Sequence, residues 1–158
     1  MSVRYPRLCE IADLNPGFPA IADADTTVSF LGMAAVDAVS GTTSEGEPRR
    51  LGEVRKGYSP FLDGDILVAK ITPCFENNKI AQARLSHPFG FGSTEFHVIR
   101  PRAQEADARY LLHFLRQDRV RREGEMRMTG SAGQRRVPEA FLADLLVPLL
   151  DLNEQRRI

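Results

Sequence analysis

The chain has 158 residues, of which 42% are hydrophobic and 27% are charged, and its 21 basic residues balance its 21 acidic ones. Such a chain forms one globular domain with its own core, which excludes collagen-like, coiled-coil and wholly disordered proteins. No apolar run approaches the roughly 18 residues that span a bilayer, and the first ten residues lack the apolar segment of a signal peptide. We therefore expect a cytoplasmic protein without membrane association, in which Cys9 and Cys74 are not bridged to each other.

Charge is distributed unevenly along the chain. Residues 1–48 carry two arginines against seven acidic residues, whereas residues 109–136 carry eight arginines against three. Arginine outnumbers lysine by 18 to 3, and its planar guanidinium group donates paired hydrogen bonds to phosphates and to guanine. Two interpretations fit this bias: a nucleic-acid-binding surface, or solvated helix faces combined with the codon bias of a GC-rich genome.

The first two-thirds of the chain shows strand patterns, and the hydrophobic period changes to a helical one after about residue 106. An α+β domain is therefore expected. In chain order the sequence predicts an irregular segment at 1–25, a strand at Thr27–Met33, a surface loop at 40–50, a short strand within Leu51–Phe61, a buried strand at Asp65–Ile71 with a return strand at Lys79–Arg84, and a strand from Gly90 to Ile99.

The C-terminal third is predicted to be mainly helical. Proline at position 138 suits the first turn of a helix, and Asn153 suits the cap of another. The predicted elements are an amphipathic helix at about 107–117, an Arg-rich helical segment to Gly124, a flexible loop at 129–134, a short helix at 138–144, a strand at Leu145–Leu149 and a new helix from Glu154. A helix that begins so near the end indicates either a truncated element or a frayed tail.

The motifs of catalytic and cofactor sites are missing from the sequence. The histidines and cysteines lack metal-ligand spacing, and Asp63–Gly64–Asp65 is better explained as a turn than as a calcium loop. Ser93 is not in a Gly-x-Ser-x-Gly elbow, Gly90-x-Gly92 lacks the third glycine of a dinucleotide fingerprint, and no Walker loop is present. We expect no catalytic residues, no metal site and no cofactor.

Three polar loops remain as candidate binding elements. Glycines let the backbone approach a phosphate closely, a serine hydroxyl can bond to phosphate, and Gln and Arg side chains can bond to adenine and guanine. Each loop alone could be an ordinary surface loop, but three on one small domain favour recognition of a polar ligand. Their candidate residues are Lys70, Thr72, Asn77, Asn78 and Lys79 in the first loop, Thr94 in the second, and Ser131, Gln134, Arg135 and Arg136 in the third.

Four segments carry a resemblance to a known family. In order, GDILVAKITPCFENNKIA, GFGSTEFHVIRP, TGSAGQRRVPEAFL and VPLLDLNEQRRI resemble the target recognition domain of type I restriction–modification specificity (S) subunits. The resemblance covers about residues 26–158. It implies a twisted, partly barrel-like β-sheet with flanking helices, a single recognition domain over residues 1–152, and the start of a truncated connector helix over residues 153–158.

The resemblance also implies a function: sequence-specific recognition of double-stranded DNA, without catalysis, for DNA methyltransferase (M) subunits and, through them, restriction (R) subunits. Phosphate contacts would come from Lys70, Lys79, Ser131 and Arg135, and base contacts from Thr72, Asn77, Asn78, Thr94, Gln134 and Arg136. Two alternatives stay open. One is a half-subunit that pairs with itself and acts mainly in assembly; the other is an enzyme, either a fused restriction–methylation protein or an unrelated hydrolase.

We predict that the isolated chain binds duplex DNA weakly and with strong salt dependence. The basic part of the chain would release counterions from the phosphates, and a single module has a small footprint. Measured against salt concentration, the affinity should show a clearly negative slope on logarithmic axes. Tight binding with a flat slope would contradict the proposed phosphate contacts.

Overall fold

The computed structural model describes residues 2–18 and 22–158, in which strands precede residue 102 and the longer helices follow it. The strands are β1 (Ala12–Leu14), β2 (Thr27–Leu31), β3 (Val36–Asp37), β4 (Thr42–Thr43), β5 (Glu47–Arg50), β6 (Ser59–Leu62), β7 (Ile66–Ala69), β8 (Ile80–Gln82), β9 (Phe89–Gly92) and β10 (Phe96–Pro101). The helices are α1 (Leu8–Ile11), α2 (Leu51–Val54), α3 (Ala108–Leu115), α4 (Asp118–Arg127), α5 (Glu139–Ala143) and α6 (Leu152–Arg156), with a short 3-10 helix at Met33–Ala35. The predicted α+β class is confirmed.

The strands of the described residues form two sheets. One has six strands in the order β1–β10–β7–β8–β4–β3, and the other has four strands in the order β5–β2–β9–β6. Neither sheet closes on itself within the described part of the chain, so the expected barrel-like character holds only loosely. None of the helices in this part is long and apolar enough to cross a membrane.

Strand β7 contributes to two of the three clusters of buried hydrophobic residues in the described part of the chain. Side chains of a strand alternate between its faces. Ile66 and Val68 accordingly join the core that α3 and α5 complete, whereas Leu67 joins the core under the four-stranded sheet. All four β7 residues are fully buried between antiparallel neighbours β8 and β10. The predicted buried strand and its return hairpin are therefore confirmed.

Two strand predictions were wrong. The expected surface loop at 40–50 contains β4 and β5. Among the described residues β5 is an edge strand that pairs with β2 alone, so its polar, proline-containing sequence resembles a loop. The expected strand from Gly90 to Ile99 is two strands, β9 in one sheet and β10 in the other. Both are apolar, and hydrophobicity does not show that the chain changes sheets at the turn between them. The region Leu51–Phe61 begins with α2, and its strand is β6.

The terminal regions also differ from expectation. The described part of the predicted irregular segment 1–25 contains α1 and β1, while Met1 and residues 19–21 lie outside the described residues. The predicted strand Leu145–Leu149 makes only isolated bridges to the N-terminal segment. Helix α4 extends past Gly124 to Arg127, and α6 is capped by the Asp151 carboxylate rather than by Asn153.

Cys9 and Cys74 are both free cysteines, as predicted.

Helix α4 packs closely against the loop that follows β7. A Cβ added at Gly124 would lie 2.7 Å from Cε2 of Phe75 and 3.1 Å from Cε2 of Phe141. The Phe75 ring is fully buried, so it has little room to move. Glycine at this position therefore lets the helix reach the base of a candidate binding loop.

We predict that Gly124→Ala destabilises the protein although alanine is the better helix former. Helix propensity favours alanine by about 1 kcal/mol. Overpacking a closed core costs about 1–3 kcal/mol, and here about 2–3 kcal/mol is expected because the added Cβ would lie 2.7 Å from a fully buried ring, so the net loss should be about 1–2 kcal/mol. Urea unfolding gives the free-energy difference, with Gly32→Ala as the control because a Cβ there meets nothing within 4 Å among the residues that the structure describes. A Gly124→Ala protein as stable as the wild type would contradict the close packing.

Candidate nucleic-acid interface

The three polar loops meet at the C-terminal end of β7. We call the surface formed by residues 70–79, 93–95 and 129–136 the three-loop face. The Lys70 N–H donates to the Glu95 carbonyl at 2.8 Å, and the Val137 N–H donates to the Lys70 carbonyl at 2.8 Å. The Thr72 N–H donates to the Arg135 carbonyl at 2.9 Å. The segment after β7 thus holds the other two loops on either side of it.

The third loop is closed by its own backbone. Thr129 and Arg136 exchange N–H···O hydrogen bonds of 3.0 and 2.8 Å, and residues 129–136 are all exposed. Gly130 has a φ of 114° and Gly133 a φ of 82°, conformations that side chains with a Cβ rarely adopt. The hydroxyl of Ser131 and the carboxamide of Gln134 form no side-chain hydrogen bond within the described residues. Both are therefore available to a ligand.

The two adjacent arginines of this loop have different surroundings. Arg135 Nη2 donates to the carbonyl oxygens of Glu125 at 3.3 Å and Met128 at 3.2 Å, at the C-terminal end of α4. Cations at this end of a helix satisfy its unpaired carbonyl groups. The Arg135 guanidinium, predicted from sequence to contact phosphate, is thus engaged with the helix in the unbound protein.

Arg136 instead binds a carboxylate of the second loop. Its Nε lies 2.9 Å from Glu95 Oε2, and its Nη2 lies 2.8 Å from Glu95 Oε1. These bonds hold the pKa of the Glu95 carboxyl below its usual range, so the carboxylate is ionised at neutral pH. Nothing in the sequence indicates this partner, because Glu95 and Arg136 lie 41 positions apart.

Only some of the polar side chains of the first loop are exposed and free of partners within the described residues. Asn77 is exposed, as is Thr94 in the second loop, whereas Asn78 is half-buried with a left-handed φ of 63°. The Thr72 hydroxyl donates to the Glu76 carboxylate, and Lys79 Nζ donates to the Met33 carbonyl at 3.3 Å. Asn78 therefore shapes the turn by its backbone conformation, and Lys79 ties the first loop to the 3-10 helix at Met33–Ala35.

Lys70 lies beside a cavity at the edge of the three-loop face. The cavity has a volume of about 340 Å³, and Asn15, Ser59 and Phe96 also line it. The Lys70 side chain is half-buried there, and its charge contributes to the lowered pKa of the Glu95 carboxyl. Lys70 and Arg136 together carry two positive charges against one negative charge on Glu95, so this part of the face is net positive.

Most of the arginines of 109–136 serve the fold. Arg116 donates to the carbonyl oxygens of Ile80 and Ala38, each at 2.7 Å, and so joins the end of α3 to the six-stranded sheet. Arg119 and Arg121 pair with acidic residues of their own helix. The net charge of this segment therefore exceeds the charge available to a ligand. Among the described residues, no group of histidine, cysteine and carboxylate side chains could hold a metal ion.

A buried histidine anchors the end of the third loop. His97 Nε2 donates to the Val137 carbonyl at 2.8 Å, and its Nδ1 accepts from the Asn15 carboxamide at 3.2 Å, which requires the neutral ring. Asn15 Nδ2 also donates to Glu139 at 2.5 Å. Burial lowers the pKa of His97 below its usual range. His97 is thus a hydrogen-bonded structural histidine, and its role at this loop has no signal in the sequence.

Comparison with known proteins identifies relatives of the chain, although no protein-family model matches it. The chain is 40% identical over 155 residues to the type I restriction enzyme EcoAI specificity subunit of Escherichia coli. It is 41% identical over 152 residues to the EcoEI specificity subunit of the same organism. These matches cover 98% and 96% of this chain but only 26% and 25% of the relatives, so the chain spans about a quarter of their length.

A solved structure shares the fold. The HsdS subunit from Thermoanaerobacter tengcongensis superposes with a TM-score of 0.75 at 22% identity, over 98% of this chain and 40% of that one. With the sequence matches, this shows that the chain is homologous to one segment of type I restriction enzyme specificity subunits. The predicted family resemblance is confirmed.

We predict that stability falls between pH 7.5 and pH 5.5 because of His97. The unfolded chain binds a proton on this residue near pH ~6.5, whereas burial keeps the folded ring neutral to lower pH. The loss should be at most about 1.4 kcal/mol, the equivalent of one pKa unit. Urea unfolding at both pH values measures it; His97→Gln should flatten the dependence, and the exposed control His113→Gln should retain it. Equal pH dependence in the wild type and His97→Gln would refute this role.

Proposed function

We propose that this chain, as a homologue of one segment of the type I restriction enzyme specificity subunits, is a non-catalytic domain that recognises a specific sequence in double-stranded DNA. The observation that carries the proposal is the three-loop face. Its three polar loops are far apart in sequence, yet backbone hydrogen bonds of Lys70 and Thr72 join them into one surface. Specific readers combine phosphate contacts that set the register with side chains that reach base edges.

The roles within the face follow from exposure and from existing partners. We assign base reading to the exposed Gln134, Asn77, Thr94 and Arg136, with Thr72 and Asn78 beside them. Ser131, Lys70 and Lys79 are assigned to phosphates. Arg135 holds the third loop against α4 through Nη2. Only its other guanidinium nitrogens, Nε and Nη1, are assigned to a phosphate.

The assembly implied by this function involves other chains. The relatives are subunits of type I restriction enzymes, so DNA recognition here would direct methylation and cleavage by M and R subunits in the cytoplasm. We assign residues 1–152 to the recognition domain and residues 153–158 to the start of a connector helix. Gln155 supports this: it is buried, accepts from the Asp107 N–H at 2.8 Å and donates to the Leu150 carbonyl at 2.7 Å. These bonds fix the direction of α6 against α3.

We predict that Gln134→Ala weakens binding to the preferred duplex by about 1–3 kcal/mol while changing stability by less than about 0.5 kcal/mol. The preferred duplex is first selected from a randomised pool, and affinity is then measured by fluorescence anisotropy. Arg135→Ala should behave differently, because losing its bonds to α4 costs about 1 kcal/mol of stability and weakens all duplexes alike.

The matched control is Gln104→Ala, an exposed glutamine beyond Pro101, at the end of β10 remote from the face. It should change neither affinity nor stability. Two results would count against the proposal. One is a pool from which the wild type selects no sequence. The other is a Gln134→Ala variant that melts earlier yet binds the selected duplex as before.

A further inference from the structure

The Arg136–Glu95 pair leaves one edge of the guanidinium group unused. Glu95 accepts from Nε and Nη2, which lie along the side of the group. Each Nη atom carries two N–H bonds, so the end formed by Nη1 and Nη2 still has one donor on each nitrogen. The remaining contact, from Nη1 to the Gln134 carbonyl, is long at 3.3 Å. Two parallel donors therefore point away from Glu95.

Both residues of the pair are held by their backbones. Arg136 exchanges hydrogen bonds with Thr129 and forms a bridge with Ile71. The Glu95 carbonyl accepts from the Lys70 N–H at 2.8 Å, and its own N–H donates to the Ser93 hydroxyl at 3.0 Å. A long side chain normally loses rotamer freedom on binding. Here much of that freedom is already lost in the unbound protein, so the two outward N–H donors of Arg136 are already positioned for a ligand.

The charge of the pair favours a base over a phosphate as its ligand. Arg136 alone would attract a phosphate, but the ionised Glu95 carboxylate cancels its charge, so the pair itself offers a phosphate no net positive charge. A neutral pair with two outward donors instead suits a partner that is uncharged and offers two acceptors. In the major groove only guanine does so, through O6 and N7, because adenine places a donor beside its N7.

We propose that Arg136, held by Glu95, reads one guanine in the major groove, and that Glu95 is the positioning residue that sets this preference. The inference rests on the proposed DNA recognition and adds to it the identity of one base and the residue pair that reads it. Nη1 and the second N–H of Nη2 of Arg136 donate to O6 and N7 of the guanine. Nε and the first N–H of Nη2 remain hydrogen-bonded to Glu95.

The test replaces each guanine of the selected duplex, one at a time, by 7-deazaguanine, which pairs normally but lacks the N7 acceptor. With the full 158-residue chain, one replacement should lower the affinity about tenfold. Arg136→Ala should bind the parent duplex more weakly and should be insensitive to that same replacement. Thermal melts establish that each variant is folded.

Glu95→Gln distinguishes a positioning role of Glu95 from a purely structural one, because only a positioning role predicts a change in base discrimination. A carboxamide has only one acceptor oxygen, so it cannot accept hydrogen bonds from both Nε and Nη2, and the Arg136 guanidinium group is held less firmly. The substitution also removes one negative charge from the three-loop face. Binding to an unrelated duplex should strengthen at low salt, while discrimination between guanine and adenine at the one position should fall about tenfold. Arg136→Lys keeps the ion pair without the fork, and so tests the base preference even if Arg136→Ala fails to fold.

The matched control is Arg102→Ala. Arg102 also pairs with a carboxylate, Asp13, at 3.0 Å with similar exposure, but it follows β10 at the end remote from the face. It should leave the guanine dependence unchanged. If the wild type selects no sequence, the proposed function itself fails. If a sequence is selected but each 7-deazaguanine affects the wild type and the folded Arg136 variants equally, DNA recognition stands and the guanine assignment is overturned.

Discussion

The arrangement of the candidate interface depends on the backbone of residues 70–72, where the chain leaves β7. A strand buried on both faces delivers this segment to the surface in a fixed position, and its N–H and carbonyl groups then bond to the two other loops. Such bonds are worth only about 1 kcal/mol each, but they connect loops that are otherwise joined through the core alone. Helix α4 approaches the continuation of this segment closely, where Gly124 packs against the buried Phe75 ring.

The charge of the chain is divided between structure and surface. The sequence places a net positive charge on residues 109–136, yet Arg116 and Arg135 bond to backbone carbonyls and Arg119 pairs within its helix. Side chains committed in this way add to the electrostatic potential of the domain without contacting a ligand directly. A modest net charge at the face agrees with the proposed function, in which this chain would contribute only part of the DNA contacts.

Much of this organisation was predictable from sequence, and the failures have physical causes. The buried strand β7, its hairpin and α3 carry strong hydrophobic patterns, and the three loops stand out by their polar and glycine residues. The edge strand β5 was missed because it is exposed and contains Pro48. The partnership of Glu95 with Arg136 was missed because it joins residues 41 positions apart, and a single sequence contains no signal for such a contact.

In the third loop, the side chains proposed to contact DNA differ from the groups that fix the conformation of the loop. Its outward side chains, Ser131 and Gln134, touch little of the protein, while its shape comes from backbone bonds and from two glycines. Side chains at these positions can therefore change without loss of the fold, as the proposed reading of one DNA sequence among many requires. The Arg136–Glu95 pair is the exception, because its geometry needs two loops at once. A change of base preference at this position would require both residues to change together, whereas Gln134 can vary alone.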